Sequence, residues 1–194
     1  PQGDWSSDVC SSDLFIKNPK FIGAVAPSSE YLAKKMIEDI NFKECNCIIE
    51  YGPGTGVFTE KLIARKKENT LLLVIENNKE FYENLFSMYG YKENVKIIND
   101  GAENIKKYLK EYNIKQVDYV VSGLPFTVLP VSISNAILKN TKDILSNEGE
   151  FITFQYSLLK KNFLEKYFNN VKVKKAMINL PPAYVLKCRV KEEV

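Results

Sequence analysis

The chain has 194 residues, 45% hydrophobic and 26% charged, with 27 Lys and Arg against 24 Asp and Glu for a net charge of +3. That length supplies the core of one soluble domain, and no apolar run approaches the ~20 residues of a bilayer span. Histidine is absent, which excludes Ser-His-Asp and Cys-His nucleophilic machinery and every imidazole-ligated metal, so no metal is expected.

The first segment reads as foreign. Asp4–Leu14 back-translates into a common sequencing-library adapter, so residues 1–14 are set apart as an adapter-derived, disordered artefact, and the natural N-terminus is expected to be missing. This removes three acids and no base, which raises the net charge to +6. Residues 15–194 then form one domain, with an N-terminal helical segment at 15–42 and a core at 43–194. Phe15–Ile22 interleaves Lys17 and Lys20 with apolar residues, as an interfacial anchor does. Gly23–Pro27 breaks that stretch, and Ser28 or Ser29 is expected to cap a helix running to about Ile40. Beyond it, strand patterns fall near 47–51, 70–76, 95–99, 117–122, 149–156, 170–178 and 183–190. Helical patterns fall near 57–66, 79–88, 102–112, 131–145 and 158–168. Such alternation predicts an α/β fold with a seven-stranded, mostly parallel sheet and helices on both faces. Only Asn179–Pro182 separates the last two strands, which predicts a C-terminal antiparallel hairpin. Cys45, Cys47 and Cys188 match no zinc or disulfide spacing and read as small core residues of a reducing compartment.

Open sheets of this kind bind ligands beyond the carboxyl ends of their strands. The first strand ends in Glu50-Tyr51-Gly52-Pro53-Gly54-Thr55-Gly56, a turn without room for side chains that feeds a helix N-terminus. Glu76 closes the second strand twenty residues after Gly56, the spacing at which an acid holds the ribose of an adenosine cofactor. The glycines follow G-x-G-x-G rather than the dinucleotide G-x-G-x-x-G, and Glu50 would repel a pyrophosphate. The same acid suits the ammonium and sulfonium of S-adenosylmethionine. The third strand ends at Asn99-Asp100-Gly101-Ala102. There Asp100 can accept from an adenine amino group, cap the following helix, or do both, and Ala102 leaves space for a ring. The fourth strand ends at Ser122-Gly123-Leu124-Pro125-Phe126.

Together these segments resemble the class I S-adenosylmethionine-dependent methyltransferases, whose Rossmann-like fold the resemblance implies over essentially all of 15–194. Ser122–Phe126 resembles the N-L-P-Y segment of ribosomal RNA adenine dimethyltransferases. It is more similar to the S-G-L-P segment of bacterial phospholipid N-methyltransferases, which methylate phosphatidylethanolamine. Gly23–Ser29 and Asn179–Val185 look like the terminal signatures of the second family. In the RNA enzymes the Asn that opens N-L-P-Y accepts from a weakly nucleophilic adenine amine. Here Gly123 takes that place without a side chain, and a deprotonated ethanolamine needs no such help. The RNA family usually carries a further helical domain, whereas this sequence stops at Val194.

The resemblance implies an S-adenosylmethionine-dependent N-methyltransferase acting on phosphatidylethanolamine-type head groups, with an RNA adenine N6-dimethyltransferase-like enzyme as the alternative. A non-catalytic cofactor-binding or membrane-associated protein is a third reading. Cofactor residues are then Glu50, Tyr51, Gly52, Gly54, Gly56, Glu76, Asn77, Asp100, Gly101 and Ala102, while Ser122, Gly123, Leu124, Pro125 and Phe126 form the floor of the reaction site. Phe126, Tyr51 or Tyr156 is expected to offer an aromatic face to the cationic head group, and Lys20, Lys187 or Arg189 to hold the lipid phosphate. Basic residues concentrated toward the C-terminus suit an anionic membrane or RNA phosphates. The expected location is cytoplasmic, peripheral at the inner face of the membrane.

Overall fold

The computed structural model describes residues 27–158, 161–177 and 182–190. Residues 1–14, the Phe15–Ile22 segment with Lys20, and 178–181 of the expected hairpin turn lie outside them.

Seven strands form one sheet: β1 (Cys47–Tyr51), β2 (Leu71–Ile75), β3 (Val95–Ile98), β4 (Val117–Ser122), β5 (Leu145–Gln155), β6 (Asn170–Ala176) and β7 (Ala183–Arg189). Their order is β3-β2-β1-β4-β5-β7-β6. β1 to β5 are parallel, and β7 runs antiparallel between β5 and β6. The mostly parallel sheet and its closing hairpin are as expected.

Side-chain alternation along each buried strand divides the core in two. Cys47, Ile49 and Tyr51, with Leu73 and Ile75, face a layer built by Ile105 and Leu109 of α4 (Ile105–Glu111) and Ile137 and Leu138 of α5 (Val131–Ile144). Ile48, Leu72 and Val74 face the opposite layer. That layer carries Leu32 and Met36 of α1 (Pro27–Ile37), Leu62 of α2 (Val57–Arg65) and Leu85 of α3 (Lys79–Tyr89). Helices therefore cover both faces.

Four local differences from expectation have physical causes. The first helix starts at Pro27, upstream of both serines, because proline's fixed φ suits a first helical position. A 3-10 turn, Ala102–Asn104, precedes α4. β5 starts at Leu145 rather than near 149, with its register against β4 shifting between Val117 and Tyr119. Gly149 makes that close return possible, since a Cβ there would lie 2.9 Å from the Val117 carbonyl oxygen. Finally, the helix expected at 158–168 is the single-turn α6 (Lys161–Leu164). The Phe168 N–H closes a turn onto the Leu164 carbonyl at 3.1 Å, which lets Phe168 stack on Phe151 at 5.5 Å before β6 begins.

Cys45, Cys47 and Cys188 are buried and free, and burial raises their thiol pKa values, that of Cys47 to about 12. They are inert packing residues.

Candidate active site

The carboxyl ends of β1, β2, β3 and β4 converge on the glycine turn. Gly52, Gly54 and Gly56 have φ of 61°, 55° and 86°, a left-handed conformation that side-chain-bearing residues adopt at a cost. The turn is tied to both neighbours. The Gly52 N–H donates to the Ile75 carbonyl at 3.0 Å, and the Gly123 N–H donates to the Tyr51 carbonyl at 2.8 Å. Gly56 begins α2, and its carbonyl accepts from Glu60 N at 2.9 Å.

Glu50 is fully buried, and neither carboxylate oxygen has a hydrogen-bond partner among the described residues. Burial raises its pKa to about 8; the nearby Thr59 hydroxyl and amide oppose the rise, and the Glu76 charge adds to it. The Thr59 hydroxyl, in the first turn of α2, is itself buried and without a properly formed bond. An ionised carboxylate left without a partner is costly, and either protonation or a cationic partner removes the cost.

Glu76 is better satisfied. One of its oxygens accepts from Gly54 N at 3.2 Å and the other from Asn78 N at 2.8 Å. The acid at the end of β2 thus clamps the glycine turn directly. Burial still raises its pKa. Asn77 is exposed next to it, and Asn99 donates to the carbonyls of Glu76 and Asn77 at 2.8 and 3.3 Å.

Asp100 does not act as the expected helix cap, because the N-cap positions of the 3-10 turn and of α4 are Gly101 and Asn104. Its Oδ1 accepts from Gly101 N and from Asn104 Nδ2, both at 2.8 Å, and its Oδ2 accepts from the Tyr108 hydroxyl at 2.6 Å. The Tyr108 bond leads the causes that hold its pKa below the usual carboxylate value. Gly101 and Ala102 are buried behind it.

The segment after β4 is a floor of backbone. The Ser122 hydroxyl is buried and accepts from Leu124 N at 3.2 Å. A Cβ on Gly123 would lie 2.5 Å from the Gly52 carbonyl oxygen, and a Cβ on Gly52 would lie 2.5 Å from Leu124 Cδ2. The two loops interlock: a side chain at Gly123 needs backbone movement, and one at Gly52 needs the Leu124 side chain to shift. Pro125 follows, half-buried.

Three expectations are corrected. Tyr51 and Phe126 are 0% and 1% exposed: Tyr51 meets the Thr141 hydroxyl on the α5 side at 3.4 Å, and Phe126 packs edge-on against Phe151 at 6.0 Å. Neither ring is available as an aromatic face, although the Tyr51 carbonyl still holds the floor. Lys187 is 6% exposed and paired with Asp39 beyond α1, so it does not reach a lipid phosphate. Arg189 pairs with Glu150 through Nε at 2.7 Å at the carboxyl end of β7, and the site lies toward the opposite end of that strand.

Tyr156 remains, exposed just beyond β5. Its ring meets Phe154 edge-on at 5.6 Å, and Phe154 meets Phe58 of α2 at 6.0 Å. Phe58 in turn would lie 3.7 Å from a Cβ on Gly123. An aromatic track thus runs from the floor to Tyr156. Phe58, Phe154, Thr59 and Tyr108 were not read from the sequence as site residues. Only Phe58 and Thr59 carried a signal, by following the turn at the start of α2. Among the described residues, no group of three or more Cys, Asp or Glu side chains is placed to hold a metal.

The family model for ribosomal RNA adenine dimethylase matches residues 27–177. The chain is 28% identical over 181 residues to an ornithine lipid N-methyltransferase of Singulisphaera acidiphila, covering 92% of this chain and 94% of that protein. It is 33% identical over 112 residues to ribosomal RNA small subunit methyltransferase A of Borreliella burgdorferi, covering 58% of this chain but 37% of that protein. Among solved structures, a SAM dependent methyltransferase of Aquifex aeolicus superposes with a TM-score of 0.66 at 13% identity, over 90% of this chain and 99% of that one. With the glycine turn and its flanking acids at the ends of this strand order, the chain is an S-adenosylmethionine-dependent N-methyltransferase and belongs to the ribosomal RNA adenine dimethylase family.

Proposed function

We propose that the protein N-methylates the amine of a lipid head group, phosphatidylethanolamine or another amino lipid, while lying peripherally on a membrane. The observation that carries this reading is Gly123. Ribosomal RNA adenine dimethyltransferases place an Asn amide here for a poorly nucleophilic adenine nitrogen, and this site has 2.5 Å between a Cβ and the Gly52 oxygen. An aliphatic amine carries its own lone pair once deprotonated and needs only alignment. Similarity to an ornithine lipid N-methyltransferase along 92% of the chain supports the same class of acceptor.

The residues fit the cofactor. The orphaned Glu50 carboxylate suits a cationic amino-acid portion, and Gly52, Gly54 and Gly56 leave the backbone open to approach. Glu76 has its second lone pairs for ribose hydroxyls, Asn77 stands beside it, and Asp100, Gly101 and Ala102 border the adenine position. Bound S-adenosylmethionine supplies an already activated methyl group. The protein's work is then to orient the acceptor over Ser122–Pro125, exclude water, and face the growing positive charge with the ring of Tyr156.

The test offers radiolabelled S-adenosylmethionine to the protein with vesicles of phosphatidylethanolamine, vesicles of ornithine lipid, and undermethylated ribosomal RNA. Label in either lipid supports the proposal. Label in RNA alone sinks it and returns the chain to the substrate that its family's description names.

A further inference from the structure

We propose that the mouth of the site is a membrane-docking face, formed by the β4–α5 loop, Tyr156 and Leu158 after β5, and Met177 after β6. The proposal rests on the lipid reading above and adds the surface through which the lipid is met. Topology brings these segments together: β4 and β5 are parallel and end here, β6 ends here antiparallel to β7, and β7 begins here. Each segment exposes large apolar side chains at this end. Val128 and Val131 are 50% and 60% exposed, Met177 is 64% exposed, and Leu158 and Tyr156 are exposed between them. Of the eight exposed large hydrophobics among the described residues, these are five. Such clustering is what a soluble surface avoids unless something covers it.

Charge selects the covering. Residues 119–138, which include the floor and the loop, contain neither an acid nor a base. A face built to bind RNA phosphates would carry lysine and arginine there. An apolar phase asks for their absence. Beside the rim stands a base. Lys175, one residue before the end of β6, is exposed close to Met177. Exposed apolar side chains with a base beside them match the interface of an anionic bilayer, where acyl chains lie beneath phosphate head groups. The aromatic track from Tyr156 through Phe154 to Phe58 then leads from that interface to the floor at Gly123.

The test sediments the full chain with vesicles of phosphatidylglycerol and phosphatidylethanolamine, without cofactor, so that binding is read apart from turnover. Two variants are used: the triple change Val128→Ser, Leu158→Ser, Met177→Ser, and the single change Val131→Asp, which puts an acid at a helix N-terminus where it favours folding. We expect vesicle partitioning to fall by about tenfold or more in the triple variant and by about threefold or more in Val131→Asp. Calorimetric affinity for S-adenosylmethionine should stay within about twofold, which shows an intact fold. Met88→Ser on α3 is the matched change of an exposed apolar residue elsewhere, and it should leave partitioning unchanged. Unchanged vesicle binding in both rim variants overturns the docking face, as does an equal loss from Met88→Ser. A loss of affinity for a ribosomal RNA fragment with vesicle binding retained overturns it in favour of RNA. Label entering RNA but not lipid would remove the acceptor assignment while leaving a measured loss of vesicle binding to stand. Label entering lipid with unchanged partitioning in both rim variants would remove the docking face alone.

Discussion

The two halves of the site are built from different materials. Around β1, β2 and β3 the chemistry is in side chains: Glu50 buried and unpartnered, Glu76 clamped on the glycine turn, and Asp100 held by Tyr108. Beyond β4 and β5 the chemistry is in backbone and apolar surface, where Gly123 touches Gly52, and residues 119–138 carry no charge. Under the proposed function the contrast follows from what each half would hold. A cationic cofactor with hydroxyls and an amine asks for carboxylates in fixed places. An acceptor with its own lone pair, arriving from an apolar phase, asks for a shaped surface and little else. The acceptor half is accordingly the part sensitive to added bulk, and the cofactor half is sensitive to lost charge.

Adding bulk is the most damaging test. Gly123→Asn forces a Cβ to within 2.5 Å of the Gly52 oxygen, which must displace the glycine turn or the floor. A misplacement near 1 Å costs about a hundredfold in rate, and overpacking of this kind costs about 1–3 kcal/mol of stability. We expect kcat/KM on lipid to fall by about a hundredfold or more, measured with a vesicle substrate, with a lower Tm. If Gly123→Asn instead folded normally and methylated RNA adenine, the two halves would not differ as described.

Removing a clamp comes next. Glu76→Ala deletes acceptors for Gly54 N and Asn78 N, and hydrogen bonds to a charged group are worth about 1.5–3 kcal/mol each. Affinity for S-adenosylmethionine should drop by about ten- to a hundredfold in a calorimetric titration. Unchanged affinity would refute the ribose assignment.

Removing the orphan charge should separate stability from binding. The Glu50 pKa is raised to about 8 in the folded protein and returns to its ordinary carboxylate value of about 4.3 on unfolding. In the pH range between them the unfolded chain binds fewer protons, so stability without cofactor falls as pH rises through that window and stays low above it. The cost approaches about 4–5 kcal/mol as an upper bound, at 1.36 kcal/mol per unit. Glu50→Gln should therefore raise the Tm of the cofactor-free protein at pH 8, flatten its pH dependence, and weaken cofactor binding by about tenfold. Wild-type cofactor affinity should rise with pH across the same window, since a cationic ligand favours the ionised form. A lower Tm for Glu50→Gln at pH 8 would show that the carboxylate is not an uncompensated charge.

Much of the cofactor half was legible because its signals are local. Glu50, the three glycines and Glu76 lie within one β-α-β unit, where spacing fixes position. Strand alternation even separates Glu50 from Tyr51, since neighbours on a strand face opposite layers, so the two side chains do not share one site. The cap expected of Asp100 falls instead to Gly101 and Asn104, because a 3-10 turn comes between β3 and α4. The acceptor half depends on contacts far apart in the chain. Lys187 is expected to hold a lipid phosphate, but its partner Asp39 is 148 residues away in the chain. Phe58 and Phe154 meet across 96 residues, and nothing near either one announces the pairing. The floor itself was read as a motif, while the reason for its glycine lay in the Gly52 carbonyl of another loop.

The smallest predicted effect asks what the aromatic end of the acceptor half contributes beyond apolar surface. Tyr156 lies at the outer end of the aromatic track and is 54% exposed. A cation over an exposed ring gains about 0.5–1 kcal/mol, or roughly two- to fivefold. Tyr156→Leu keeps the apolar area but removes the ring's negative face, and Tyr156→Phe keeps that face. With lipid vesicles as substrate, Tyr156→Leu should leave the first methylation within about twofold and lower kcat/KM on a dimethylated head group by about threefold. The charge is then fixed rather than lost on deprotonation. Tyr156→Phe should match the wild type on both. If Leu and Phe behaved alike on the dimethylated lipid, the ring would count only as part of the apolar rim, and the acceptor half would recognise its substrate through shape and surface alone.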